Sequence, residues 1–149
     1  MAGTVIADTL QAASTSTLVL KNGVANTPPT VQDSAGTQVG TFCRAWVNFN
    51  GTGTVAIRAS FNVSSITDNG TGQYTVNLTN AIADANYAIN VSFSPNFGVS
   101  GSSGASINSG VASLAEAAPS TTAFSFATLT LAASGSFHDP KYVNASIFR

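Results

Sequence analysis

The segment Phe137-His138-Asp139-Pro140 holds the only histidine of the chain, next to a carboxylate. Such a pair could orient an imidazole for general-base catalysis. A base needs a nucleophile, however, and no serine stands in a nucleophile-elbow sequence. The remaining acids are Asp8, Asp33, Asp68, Asp84 and Glu116. Glycoside cleavage needs two carboxylates flanking one bond. Most of these acids instead sit beside Gly, Ser, Asn or Pro, where Asp turns or caps the backbone. Cys43 is the sole cysteine, so no intramolecular disulfide forms, and a free thiol between Phe42 and Arg44 reads as a small buried hydrophobe. Arg44 follows it in a strand pattern, and adjacent strand residues point to opposite faces. One His and one Cys fall short of the three or four ligands of a zinc site. Asp68-Asn69-Gly70 lacks the spaced ligands and closing Glu of a calcium loop. Gly98, Gly101 and Gly104 lie in no strand-turn-helix unit, so they make no dinucleotide fingerprint. The expectation is a protein that is not an enzyme, with no catalytic residues, no metal and no cofactor.

Residues suited to binding are easier to find. Trp46 and Arg58 are read on the non-core faces of neighbouring strands, and Trp and Arg are favoured at interface centres. Trp also stacks on sugars. A competing reading packs Trp46 under the arm or a loop. The Gly- and Ser-rich stretch 94–110 reads as a mobile loop at a strand end. Within it Asn96, Phe97, Ser102 and Asn108 combine polar groups with one aromatic, a candidate receptor-contact set.

The elements that would carry these residues are strands. Ala45, Val47 and Phe49 alternate with Arg44, Trp46 and Asn48. Asn50-Gly51-Thr52-Gly53 supplies a hairpin turn. Val55, Ile57, Ala59, Phe61 and Val63 then alternate with polar residues, which predicts one strand with all five on its buried face. Asp68 to Gly72 is the next turn, and Tyr74, Val76 and Leu78 continue the period of two. Further strands are read at Tyr87–Phe93, at Phe124 and Phe126, and at Val143–Ile147, with a phase shift to Leu129 and Leu131 that predicts a bulge. Val111–Ala118 is the best short helical candidate, and Ala81–Asn86 has room for one helical turn. The fold expected is all-β: an antiparallel β-sandwich knob over 42–149, preceded by an extended arm or small hairpin over 1–41.

Composition narrows the partners. Charged residues are 7% of the 149, and the net charge is -1. So little charge favours association between copies. The five basic residues are scattered, which argues against nucleic acid. The start carries no basic stretch before an apolar run, and no segment is long and apolar enough for a membrane span, so neither secretion nor membrane insertion is expected. Outer strand faces of Asn, Ser and Thr stay hydrated without like-charge repulsion, and cost less to desolvate against another subunit than Lys or Glu.

The run AWVNFNGTGTVAIRASFNVSSITDNGTGQYTVNL, followed by DANYAINVSF and ending in YVNASIFR, resembles a module of tail-fibre and other virion structural proteins of tailed bacteriophages. The start, ADTLQAASTSTLVLKNGVANTPPTVQDSAGTQVG, resembles the region that often precedes it. The resemblance covers nearly the whole chain. It implies a β-rich, homotrimeric virion component, made in the host cytoplasm, whose arm docks on tail or capsid proteins and whose knob points outward. Many fibres carry a longer shaft, which this chain lacks. The expected function is that of a short fibre-like appendage used in host attachment, with a host surface glycan as a candidate partner. The alternative is a capsid decoration or head-fibre protein that stabilises the shell or projects from it.

Overall fold

The computed structural model describes Leu20 and residues 28–94, 111–112, 118–129 and 136–149. Among these residues the protein is all-β, with ten strands and no helix. A small hairpin of β1 (Val31–Gln32) and β2 (Gln38–Gly40) turns at Asp33, whose carboxylate accepts hydrogen bonds from the amides of Ala35 and Thr37, both at 2.9 Å. The strands that follow are β3 (Cys43–Asn50), β4 (Ala56–Phe61), β5 (Val63–Gly70), β6 (Gln73–Leu78), β7 (Ala88–Ser94), β8 (Val111–Ala112), β9 (Ala123–Thr128) and β10 (Tyr142–Phe148). They form two four-stranded antiparallel sheets, ordered β4-β3-β10-β7 and β5-β6-β9-β8.

The sheets enclose one core. Alternate residues point inward: Ala45, Val47 and Phe49 from β3, Val143, Ala145 and Ile147 from β10, Tyr74, Val76 and Leu78 from β6, Phe124 and Phe126 from β9. Its centre is aromatic. Phe49 meets Tyr74 edge-on at 5.1 Å between ring centroids, and Phe126 closes the triangle at 6.4 and 5.9 Å. Edge-to-face contact sets the positive rim of one ring against the negative face of the next, which adds to the area buried.

Four sequence expectations are corrected here. The predicted strand from Val55 to Val63 is two strands, one in each sheet. Asn62 joins them with a φ of 56°, a left-handed conformation that Asn tolerates better than most residues. The side chains of β4 do not share one buried face either. Opposite β3, Ala59 faces Asn48 while Ile57 faces Phe49, so Arg58 is an extra residue in a β-bulge. The bulge shifts the phase: Ile57 lies on the core side, and Ala59 and Phe61 turn outward with Trp46. Phe61 is 54% exposed, and all six residues of β4 are exposed. Val111–Ala112, assigned above to a helical candidate, pairs with β9 as a strand. Residues 81–86 connect β6 to β7 without a helical turn. Most of the 94–110 loop and Leu131 lie outside the described residues.

Candidate functional site

Among the described residues, the outer face of the first sheet groups an exposed tryptophan with uncharged amides and hydroxyls. Register places its side chains in two rows across β3, β10 and β7. One row is Trp46, Ser146 and Asn90; the next is Asn48, Asn144 and Ser92. Neighbouring strands lie about 4.8 Å apart and alternate residues about 6.8 Å, so the six positions cover about 10 by 7 Å. Together they line an open concavity of about 300 Å³. None is charged. Trp46 is 41% exposed and stands on the outer side of β3, opposite Ser146 of β10. The Asn48 side-chain amide donates to Asn144 Oδ1 at 2.6 Å, and among the described residues Asn48 Oδ1 and the Asn144 side-chain amide make no further hydrogen bond. Asn90, Ser92 and Ser146 make no side-chain hydrogen bond among the described residues.

The outer face of the second sheet has a similar composition and a different state. Asn77 donates to Ser65 Oγ at 3.1 Å and Thr67 Oγ1 at 2.9 Å. Asn69 donates to Thr75 Oγ1, and Thr75 and Ser125 share a bond, each at 2.8 Å. These hydroxyls and amides satisfy one another across strands, which is one use of an uncharged polar face. On the first sheet the same groups stand open around a tryptophan.

Arg58 is also on the outer side, but it is engaged within the chain. Its guanidinium lies 4.4 Å from the Tyr142 ring centroid and donates to Lys141 O at 2.6 Å and Asn50 Oδ1 at 3.4 Å. A planar cation held by a ring face and two oxygens braces the bulge. Trp46 and Arg58 therefore share a face without forming one site: Trp46 is opposite Phe61, and Arg58 stands at the bulge beside Asn48 and Phe49. Asn96, Phe97, Ser102 and Asn108 lie outside the described residues.

The His-Asp pair joins turns and strands through hydrogen bonds. Asp139 Oδ1 accepts from the Gly72 amide at 2.6 Å and the Tyr74 hydroxyl at 2.9 Å, so one carboxylate clasps the β5–β6 turn to the approach of β10. The Gly51 amide donates to Pro140 O at 2.9 Å, which ties in the β3–β4 turn as well. Burial first, and then the hydrogen bond to Asp139, push the Tyr74 hydroxyl well above the ordinary tyrosine range. Thr128 holds the neighbouring histidine by its main chain, receiving His138 N–H at 3.1 Å and donating its hydroxyl to His138 O at 2.5 Å. Sequence reasoning gave Asp139 a local turn role, and the long-range clasp has a weak signal there: only the Asp-Pro step marks a residue held extended before a strand. Asp68 and Asp84 do act as read, accepting from the amides of Gly70 at 3.0 Å and Asn86 at 2.7 Å. Asp84 also forms an ion pair with Arg149. Cys43 is half-buried, with its thiol directed to Ala45 O. Among the described residues no group of three His, Cys, Asp or Glu could hold a metal ion, and no helix is long and apolar enough to cross a membrane.

No family model, curated protein or solved structure matches the chain.

Proposed function

We propose that this chain is a non-enzymatic structural protein of a bacteriophage virion, a short trimeric appendage whose sandwich is presented outward for host attachment. The observation that carries the reading is the side of the sandwich where β4 and β5 meet. Every residue of β4 is exposed, with Ile57 and Phe61 among them. The edge has no proline or lysine, its one charge, Arg58, is folded back onto Tyr142, and the bulge at Arg58 is the one feature that interrupts it. An edge strand in that state is a template for another chain. Three copies meeting along it would cover Ile57 and leave the other end of each first sheet open. The phage assignment itself rests on the resemblance of the Ala45–Leu78 segment, which is folded as β3 to β6.

Light scattering on the purified 15.0 kDa chain should give about three times the chain mass. A stable monomer at micromolar concentration counts against the trimer. Copy number and position on purified particles test the rest: a few copies at the tail fit the appendage, numbers near those of the capsid subunit move the protein to the head as a decoration protein, and absence from particles removes the virion reading.

A further inference from the structure

We propose that the outer face of the β3-β10-β7 strands is a binding site for an uncharged saccharide, with Trp46 as the stacking platform. The site deepens the attachment reading and rests on it only for its biological purpose. Four features select the ligand. The six positions hold one aromatic, three amides and two hydroxyls, and no charge, which is the complement of a hydroxyl-rich neutral molecule. A sugar hydroxyl both donates and accepts, so it pairs with either end of an amide and with serine in either sense. The second sheet closes such groups on one another across strands, whereas Asn90, Ser92 and Ser146 make no side-chain hydrogen bond among the described residues. Finally, the single tryptophan stands at the corner of the grid, where a ring laid on its face would carry its hydroxyls across β10 and β7.

A second copy of the chain suits this face less well. A protein surface would bury five polar groups and must meet each with a partner to avoid a desolvation cost. Nucleic acid would look for Lys or Arg, and none lies on the grid. The concavity is open, so a single copy grips weakly and the site gains strength by presentation in several.

Because Trp46 is the only tryptophan, its emission reports on this site alone. The full chain is titrated with neutral oligosaccharides of glucose, galactose, mannose and N-acetylglucosamine, and with oligogalacturonate as a charged control. The expected result is a saturable blue shift with at least one neutral oligosaccharide and none with the control. Calorimetry should then show binding weakened at least tenfold by Trp46→Ala and by Asn144→Ala. Asn90→Ala, an exposed change with no side-chain hydrogen bond to lose among the described residues, gives the same answer if either of those variants fails to fold. A panel without any shift overturns the proposal, as does unchanged affinity in Asn90→Ala and Trp46→Ala, or a blue shift that follows protein concentration in the absence of sugar, which assigns the face to a second copy. Because the measurement uses the isolated chain, its failure leaves the virion reading standing, and absence of the protein from particles leaves the saccharide site standing.

Discussion

Asn62 is the residue on which the two sheets hinge, and replacing it should be costly out of proportion to its exposure. It is the single residue between β4 and β5, and it holds a φ of 56°. Its side-chain amide donates to Arg44 O at 3.1 Å and Asn80 O at 3.2 Å, and its Oδ1 accepts from the Asn80 amide at 2.8 Å. The corner is thus tied to β3 on one side and to the end of β6 on the other. Asn62→Ala removes these bonds, each worth about 1 kcal/mol net. It also places a side chain that cannot hydrogen-bond locally in a left-handed conformation, at about 1 kcal/mol. The expected loss is ~4 kcal/mol. Asn62→Gly loses the same bonds without the strain of about 1 kcal/mol, but adds freedom to the unfolded chain, so it should lie about 0–0.6 kcal/mol above the alanine variant. Urea unfolding measures both. With a slope of about 2 kcal/mol per molar, Asn62→Ala should lower the midpoint by about 2 M. Midpoints within about 0.2 M of the parent, or a glycine variant less stable than alanine, would refute the corner as described.

Three further outcomes follow from the packing. Phe49→Ala should cost ~3–5 kcal/mol, through lost burial and the cavity left among Tyr74 and Phe126, whereas Phe61→Ala should cost under about 1 kcal/mol because Phe61 faces outward; urea midpoints in the reverse order would mean that β4 has no bulge. Tyr74→Phe should cost about 1–2 kcal/mol at pH 8, where Asp139 loses a donor. The folded Tyr74 holds its proton above the ordinary value near 10, so the unfolded chain releases its proton first, and the stability gained from burial is full below pH 10 and falls above it by up to about 1.4 kcal/mol per pH unit. The gap between parent and Tyr74→Phe midpoints should therefore narrow between pH 8 and 10.8, and a constant gap would contradict the buried hydroxyl. Gly72→Ala should cost more than about 3 kcal/mol and lower the melting temperature sharply, because φ is +65° and a Cβ would lie 2.6–2.7 Å from Thr128 O, His138 N and His138 O, all backbone atoms with little room to move.

The alternation in β3, β6, β7, β9 and β10 could be read directly, since each presents one face to a core and the period of two follows from the pleat. Reading failed where the backbone departs from that period. Val55 to Val63 alternates without fault, yet an extra residue at Arg58 and a left-handed Asn62 send Phe61 outward and Val63 into the other sheet. Neither event leaves a mark in hydrophobic pattern, because an edge strand does not enforce burial on its residues. Trp46 was recognisable as an outward residue from the parity of β3 alone. Its companions were not, because Asn90, Ser92, Asn144 and Ser146 reach it only through the pairing of β10 with both β3 and β7, and pairing of distant strands is not local information. The Asp139 clasp was hidden for the same reason: its partners stand 65 and 67 residues away.

The pairing of β3 with β10 also sets the order in which the molecule can be made. Asn48 and Asn144 touch across a sequence separation of 96, in the middle of the first sheet. Closing so long a loop precedes any return from the contacts it permits, so assembly should be slow, on the scale of milliseconds to seconds typical of sandwiches. Until β10 arrives, β3 has only β4 beside it, and Ala45, Val47 and Phe49 are left uncovered on a nascent hairpin whose far edge is already unprotected. Dilute chains would wait safely in that state. Crowded ones would find each other first, so yield on refolding should fall steeply with concentration, and cooler, slower synthesis should favour the folded product.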